Sequence, residues 1–273
     1  MAPLPDRFPP PAVMGVINVT PDSFSDGGEY LDPGTAVARG VALVAEGADL
    51  LDVGGESTRP GSDPVSAEVE LARVLAVIRG LREATDVPIS IDTTKAVVAE
   101  AAIAAGAAFV NDVSAMRVDP RMAEMVAGAG VPVCLMHMRG DPKTMQDDPR
   151  YDDVVAEVAA FLAERVEAAT AAGISDEAIC IDPGIGFGKT GEHNLSLLRH
   201  LDAIVAIGPP VVIGVSRKRF LGSIIGDADR TRAVATAAAN VEAVRRGAWM
   251  VRVHDVRETR EALAVAGAIE AAP

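Results

Sequence analysis

Residues 88–106 read PISIDTTKAVVAEAAIAAG and contain the unit from which the chain is built. An apolar run at 88–92 ends in Asp92. An Ala-rich segment at 95–105 follows, in a composition that favours helix, and Gly106 closes it. Working outward, the apolar run recurs eight times, at roughly 13–19, 50–55, 88–92, 109–114, 131–138, 178–182, 210–216 and 249–255. Helical patterns lie between them, at roughly 34–47, 66–84, 95–105, 119–129, 151–172, 193–207, 230–247 and 257–270. Gly47, Gly106, Gly130, Gly173, Gly208 and Gly247 stand where left-handed caps are needed. Strand and helix alternating in this way call for a parallel sheet.

The runs share a second feature. At or just beyond their ends lie Asn18, Glu56, Asp92, Asn111, His137, Asp182, Lys218 and His254. In an open doubly wound sheet, ligands gather at one switch point. Polar exits on all eight strands point instead to a closed ring with its site at the carboxyl ends. The expected fold is therefore α/β: a single (β/α)8 TIM barrel over 13–273, with long loops after strands 1 and 2. The Pro-rich residues 1–12 are expected to form an extended arm. The length of 273 residues suits one such domain.

Composition narrows function. A formal net charge of −14 argues against nucleic acid and anionic membranes as partners. No apolar run reaches the roughly 18 residues of a membrane span, and the start does not read as a signal peptide. Cys134 and Cys180 sit inside expected strands, as small buried hydrophobes in a reducing, cytoplasmic compartment.

The chemistry-bearing residues cluster at strand ends. In WMVRVHD (249–255), Arg252 and His254 alternate and so face one side, forming an anion site between buried valines. SRKRFLG (216–222) crowds Ser216, Arg217, Lys218 and Arg219 at another exit, where a following helix start would add N–H groups. IDPGIGFGKT (181–190) fails as a phosphate-binding P-loop because position 183 is Pro. It fails as a dinucleotide fingerprint because Lys189 replaces the third Gly. It reads better as a tight loop holding Asp182, with Phe187 close to a flat ligand. Asp92 could cap the next helix, but Thr93 and Thr94 can do so in its place, and Asn111 shares a similar ambiguity with Asp112. Asp92, Asn111 and Asp182 together suit an amide-rich heterocycle, with Lys218 on its carbonyl. No His/Cys spacing resembles a zinc site. Asn18 and Asp26 offer oxygens to Mg²⁺.

Together, VMGVINVTPDSFSDGG, LLDVGGESTRPG, SIDTTKA, VNDVS, LMHMRGDPKTMQ, IDPGIGFGK, SRKRFLG and VRVHDV resemble the dihydropteroate synthase family, over residues 13–256 and in its order. The resemblance implies a transferase of folate biosynthesis. It would condense (7,8-dihydropterin-6-yl)methyl diphosphate with 4-aminobenzoate. It implies that Asp92, Asn111, Asp182 and Lys218 hold the pterin, with Met136 and Gly214 in the same substrate-binding set. Asn18, Arg252 and His254 would bind diphosphate, with Mg²⁺ on Asn18, and Asp26 and Arg59 would join from the mobile first two loops. Thr58, Pro60, Phe187, Ser216 and Arg219 would frame the aminobenzoate. Arg219 stands where many members carry Ser, so the contact to the benzoate carboxylate is left open. A homodimer and sulfonamide competition are further implications. The competing expectations are a barrel transferring methyl groups from a folate to a corrinoid protein, and a non-catalytic pterin binder.

Overall fold

Each strand alternates between two environments, and this alternation builds the barrel. In the computed structural model, which describes residues 2–20, 32–226 and 232–273, the strands are β1 (Ala12–Asn18), β2 (Leu50–Gly54), β3 (Ile89–Asp92), β4 (Phe109–Asp112), β5 (Val133–Met136), β6 (Ile179–Asp182), β7 (Val212–Ile213) and β8 (Met250–Val253). One set of positions, including Leu51, Val53, Ile91, Val110, Leu135, Ile181 and Val251, packs outward against the helices in the main core. The other set points inward. Its lower members, Met14, Leu50, Phe109, Cys134, Cys180, Val212 and Met250, form a separate apolar cluster. Two residues further along, that inner face turns polar on four of these strands: Asp52, Asn111, Asp182 and Arg252 follow Leu50, Phe109, Cys180 and Met250.

The strands are all parallel, in the order β6-β5-β4-β3-β2-β1-β8-β7. Closure between β6 and β7 rests on one isolated bridge, Ile181 to Val211. The expected seventh strand, 210–216, shrinks to two residues. Pro209 and Pro210 have no N–H to give, although the Pro210 carbonyl accepts from the Ile181 amide at 3.0 Å.

The helices are α1 (Leu4–Arg7), α2 (Pro33–Ala45), α3 (Ala67–Ala84), α4 (Ala96–Ala104), α5 (Met122–Ala129), α6 (Val154–Ala171), α7 (Gly191–Arg199), α8 (Leu201–Val205), α9 (Arg219–Ile225), α10 (Ala233–Arg245) and α11 (Val256–Glu270). Local chemistry starts several of them. Asp32 accepts from the amides of Gly34 and Thr35, with Pro33 in the first turn. Asp153 caps α6, and Thr190 and His193 form a capping box on α7. All six expected cap glycines have positive φ.

Two expectations are corrected. The opening residues are not wholly extended, because Leu4–Arg7 form one helical turn. Pro5 is tolerated there, since the first turn has no use for its missing N–H. That turn buries Leu4 and Phe8 against the lower cluster, and the Trp249 indole donates to the Phe8 carbonyl at 2.8 Å. The arm thus plugs the amino end of the barrel. The helical pattern at 193–207 is also broken at His200 into α7 and α8. Cys134 and Cys180 are buried and unlinked.

Candidate active site

The carboxyl ends of the strands open into a cavity of about 1090 Å³. Asn18, Thr58, Arg59, Pro60, Asp92, Asn111, Met136, Asp182, Phe187, Gly214, Ser216, Lys218, Arg219, Arg252 and His254 all line it. Residues more than two hundred positions apart in the chain therefore meet in one cup. Asp26 lies outside the described residues. Of the eight strand exits, seven face the cup. His137 turns away, its ring edge-on to Phe161 at 4.8 Å.

The floor is a charge network. Arg252 donates from Nε to Asp52 at 2.6 Å and from Nη2 to Asp92 at 2.7 Å, and the Asn111 amide donates to the same Asp52 oxygen at 3.0 Å. Asp52 was not among the expected site residues. It is fully buried in the middle of β2, and its second oxygen has no partner. A charged residue inside the apolar run LLDVG was the available signal, since such a group needs a buried partner. Asp92 is free of capping duty, as anticipated. The first amide of α4 is instead capped by Asp119, at 2.9 Å. Asp112 is turned into its own loop, taking the amides of Ser114 and Met116, which leaves Asn111 to face the cup.

Burial dominates the electrostatics. It pushes Asp92 up to about 7, with Asp52 and Glu70 adding to the rise against the pull of Arg252. It pushes Asp182 up to about 6, opposed by the Gly184 N–H and by Lys218. The Lys218 ammonium is brought down to about 8 by burial and by Arg252, and it stands 4.0 Å from the centre of the Phe187 ring. Arg252 is held charged despite burial, because Asp52 and Asp92 flank it.

The rim is different. Burial, Arg252 and Arg217 hold the His254 imidazole neutral, down to about 3. Its Nδ1 lies 3.0 Å from the Ser216 hydroxyl and its Nε2 lies 3.4 Å from the Asn18 amide nitrogen. Arg217 is spent on Asp255 and takes a left-handed conformation, which turns the chain so that α9 begins directly after Lys218. Glu56 is held by Lys95 at 2.6 Å and accepts from the Val65 amide at 2.8 Å, which anchors the loop carrying Thr58, Arg59 and Pro60.

Among the described residues, no group of three or more His, Cys, Asp or Glu side chains could hold a metal ion. The side-chain amide that Asn18 brings to the cup has an oxygen of the donor type Mg²⁺ accepts.

An eight-stranded parallel barrel with a polar floor and a basic rim at the carboxyl ends of its strands defines the class of TIM-barrel enzymes. The chain belongs to the pterin binding enzyme family, whose profile matches residues 14–254. Within it the chain groups with the dihydropteroate synthases. It is 52% identical to the dihydropteroate synthase of Mycobacterium leprae, over 95% of this chain and 93% of that one. The dihydropteroate synthase of Xanthomonas albilineans, solved with 4-aminobenzoic acid, superposes with a TM-score of 0.90 at 50% identity, covering 96% of this chain and 94% of the other. The same enzyme in complex with 7,8-dihydropteroate gives a TM-score of 0.87 at 47% identity, with coverage of 96% and 95%.

Proposed function

We propose that the chain condenses (7,8-dihydropterin-6-yl)methyl diphosphate with 4-aminobenzoate to give 7,8-dihydropteroate and diphosphate. The observation that carries this reading is the single cup in which Asp92, Asn111, Asp182 and Lys218 lie below Asn18, Arg59 and His254. A pterin presents adjacent N–H donors and a ring carbonyl. The Asp182 carboxylate suits the donors, and Lys218 and the Asn111 amide suit the acceptors. The diphosphate would meet Asn18, Arg59 and the neutral His254 imidazole at the rim, while Arg252, expected from the sequence to bind it too, is committed below to Asp52 and Asp92. Mg²⁺ bound through Asn18 would neutralise charge on the departing diphosphate.

The bond between the pterin methylene and diphosphate oxygen breaks, and its electron pair leaves with the diphosphate. The electron-rich dihydropterin stabilises the methylene left behind. The aniline nitrogen then forms the new C–N bond and loses one proton to solvent or to the released diphosphate. Neutral aniline is already a nucleophile, so no activated side-chain nucleophile is needed. Catalysis is electrostatic and positional, with the floor fixing the ring and the rim accepting charge. A homodimer and competition by sulfonamides for the aminobenzoate slot belong to the same reading.

The test is the purified protein with pterin diphosphate, 4-aminobenzoate and Mg²⁺, assayed for dihydropteroate and diphosphate. Turnover that is lost on chelation and restored by Mg²⁺ is expected. Pterin binding without diphosphate release would sink the reading and favour a non-catalytic binder.

A further inference from the structure

We propose that Lys189 is a positioning residue, a buried clip that seats Phe187 against Lys218 and thereby sets the slot for the aromatic amine. This rests on the synthase reading above and adds a residue to it.

Lys189 is only 3% exposed. Its ammonium donates to His137 Nδ1 at 2.8 Å, to the Phe187 carbonyl at 3.0 Å and to the His137 carbonyl at 3.5 Å. Three donors thus meet three neutral acceptors, and no carboxylate is among them. Burying an ammonium in this way is costly, and an apolar residue would fill the space more cheaply. What an apolar residue could not do is draw two carbonyls and an imidazole together. Burial pushes Lys189 down to about 7 and His137 down to about 3, so the imidazole stays neutral and accepts at Nδ1.

The clip joins the end of β5 to the loop after β6. His137 donates its own amide to the Asp182 carbonyl at 2.9 Å. At Gly184, with φ +67°, a Cβ would fall 1.9 Å from the His137 carbonyl oxygen, so the loop lies directly on that residue. The neighbouring peptides are tied as well. Gln146 donates to the Gly186 carbonyl at 2.6 Å, Asn194 accepts from the Gly186 amide at 2.7 Å, and Tyr151 donates to the Gly188 carbonyl at 2.9 Å. Within this loop the Phe187 carbonyl is the one Lys189 holds, while the Phe187 amide donates to the Gly184 carbonyl at 3.1 Å. The Phe187 ring is the wall facing Lys218. Asp92, Asn111 and Asp182 stand on strands and owe their positions to the barrel ladder, not to the clip.

The experiment is Lys189→Met, which keeps the length of the chain and removes every donor. KM for 4-aminobenzoate is expected to rise about 10- to 100-fold, the scale of a wall displaced by an ångström or so. KM for the pterin diphosphate should stay within about twofold, because Asp92, Asn111 and Asp182 are held by strands and Lys218 by its place at the start of α9. Lys189→Arg, which restores donors, should recover most of the loss. If Lys189→Met does not fold, Lys189→Gln, polar but one bond too short to reach the Phe187 carbonyl, carries the same comparison. Both KM values moving together, or neither moving, overturns the proposal. A crystal structure of the variant reads Phe187 without turnover: the ring leaving Lys218 supports the clip, and the ring staying in place overturns it. Failure of the parent chain to make dihydropteroate would instead count against the synthase reading, and that structure would still decide the clip.

Discussion

Asp182 is where function and stability pull apart most measurably. Its carboxyl sits at the inner end of β6, 5% exposed, and accepts from the Gly184 amide at 2.7 Å. Burial raises it from an ordinary 3.8 to about 6. The folded protein therefore holds this proton more tightly than the unfolded chain does. As pH rises through that interval the unfolded chain releases first, so folding stability falls and stays lower above pH 6. A rise of about 2 units corresponds to about 3 kcal/mol. Asp182→Asn removes the ionisation but keeps an oxygen for the Gly184 amide. Lys218 and Lys189 lose a counter-charge, but both already ionise near pH 7–8, so at pH 8 the loss is small. The variant should be about 2–3 kcal/mol more stable than the parent at pH 8, and the gain should shrink toward zero at pH 4. Urea unfolding at pH 4, 6 and 8, followed by circular dichroism, measures the difference. Calorimetry with a pterin should show binding lost at pH 8. An equal gain at all three pH values, or no gain at pH 8, would refute the claim that a desolvated carboxylate is held there for a ligand.

Two further outcomes follow from the buried ion pairs. Arg252→Ala should cost about 3–5 kcal/mol because Asp52 and Asp92 lose their shared cation. Asp92 would then rise further above its unfolded value, so the loss should be larger at pH 8 than at pH 5, as thermal unfolding at the two values would read. Lys95→Met should cost a similar 3–5 kcal/mol, since Lys95 is the partner of the fully buried Glu70 at 2.6 Å. Wild-type stability in that variant would contradict the pairing.

What was legible in the sequence was whatever depends on local pattern. Eight apolar runs became eight strands, and polar residues at their exits met in one cup, because a strand's inner face can turn polar only where packing stops. Distant partnership was not legible. Nothing in WMVRVHD tells that the Arg252 guanidinium is shared by carboxylates 160 and 200 residues away. Asp52 was hidden because Glu56, further along the same run, reads as the exit. Lys189 was visible only as the residue that breaks a motif, since its acceptors are two backbone carbonyls and an imidazole assembled by the fold. His137 shares the exit pattern but sits one residue past β5, where the alternation turns it outward to Phe161. The short helix at Leu4–Arg7 was missed because five nearby prolines mask a turn that holds only one of them, Pro5, within its first turn.

The two levels of the cup divide the electrostatic work. On the floor, Asp52 and Asp92 bind Arg252, and Asp182 lies in the field of Lys218 and Arg252. Such a floor carries little net field, and a neutral heterocycle can settle on it by hydrogen bonding without displacing a counter-ion. The rim is not balanced. Arg217 is neutralised by Asp255, but the side chains of Arg59 and Arg219 line the cavity with no ion pair among the described residues. In a chain of net charge −14, distant charge repels anions but is screened beyond about 8 Å at physiological salt. What an arriving diphosphate or benzoate carboxylate feels at close range is therefore the rim. On the proposed reading, Arg59 and Arg219 are the cavity-lining guanidinium groups left to meet an incoming anion, since neither has an ion-pair partner among the described residues.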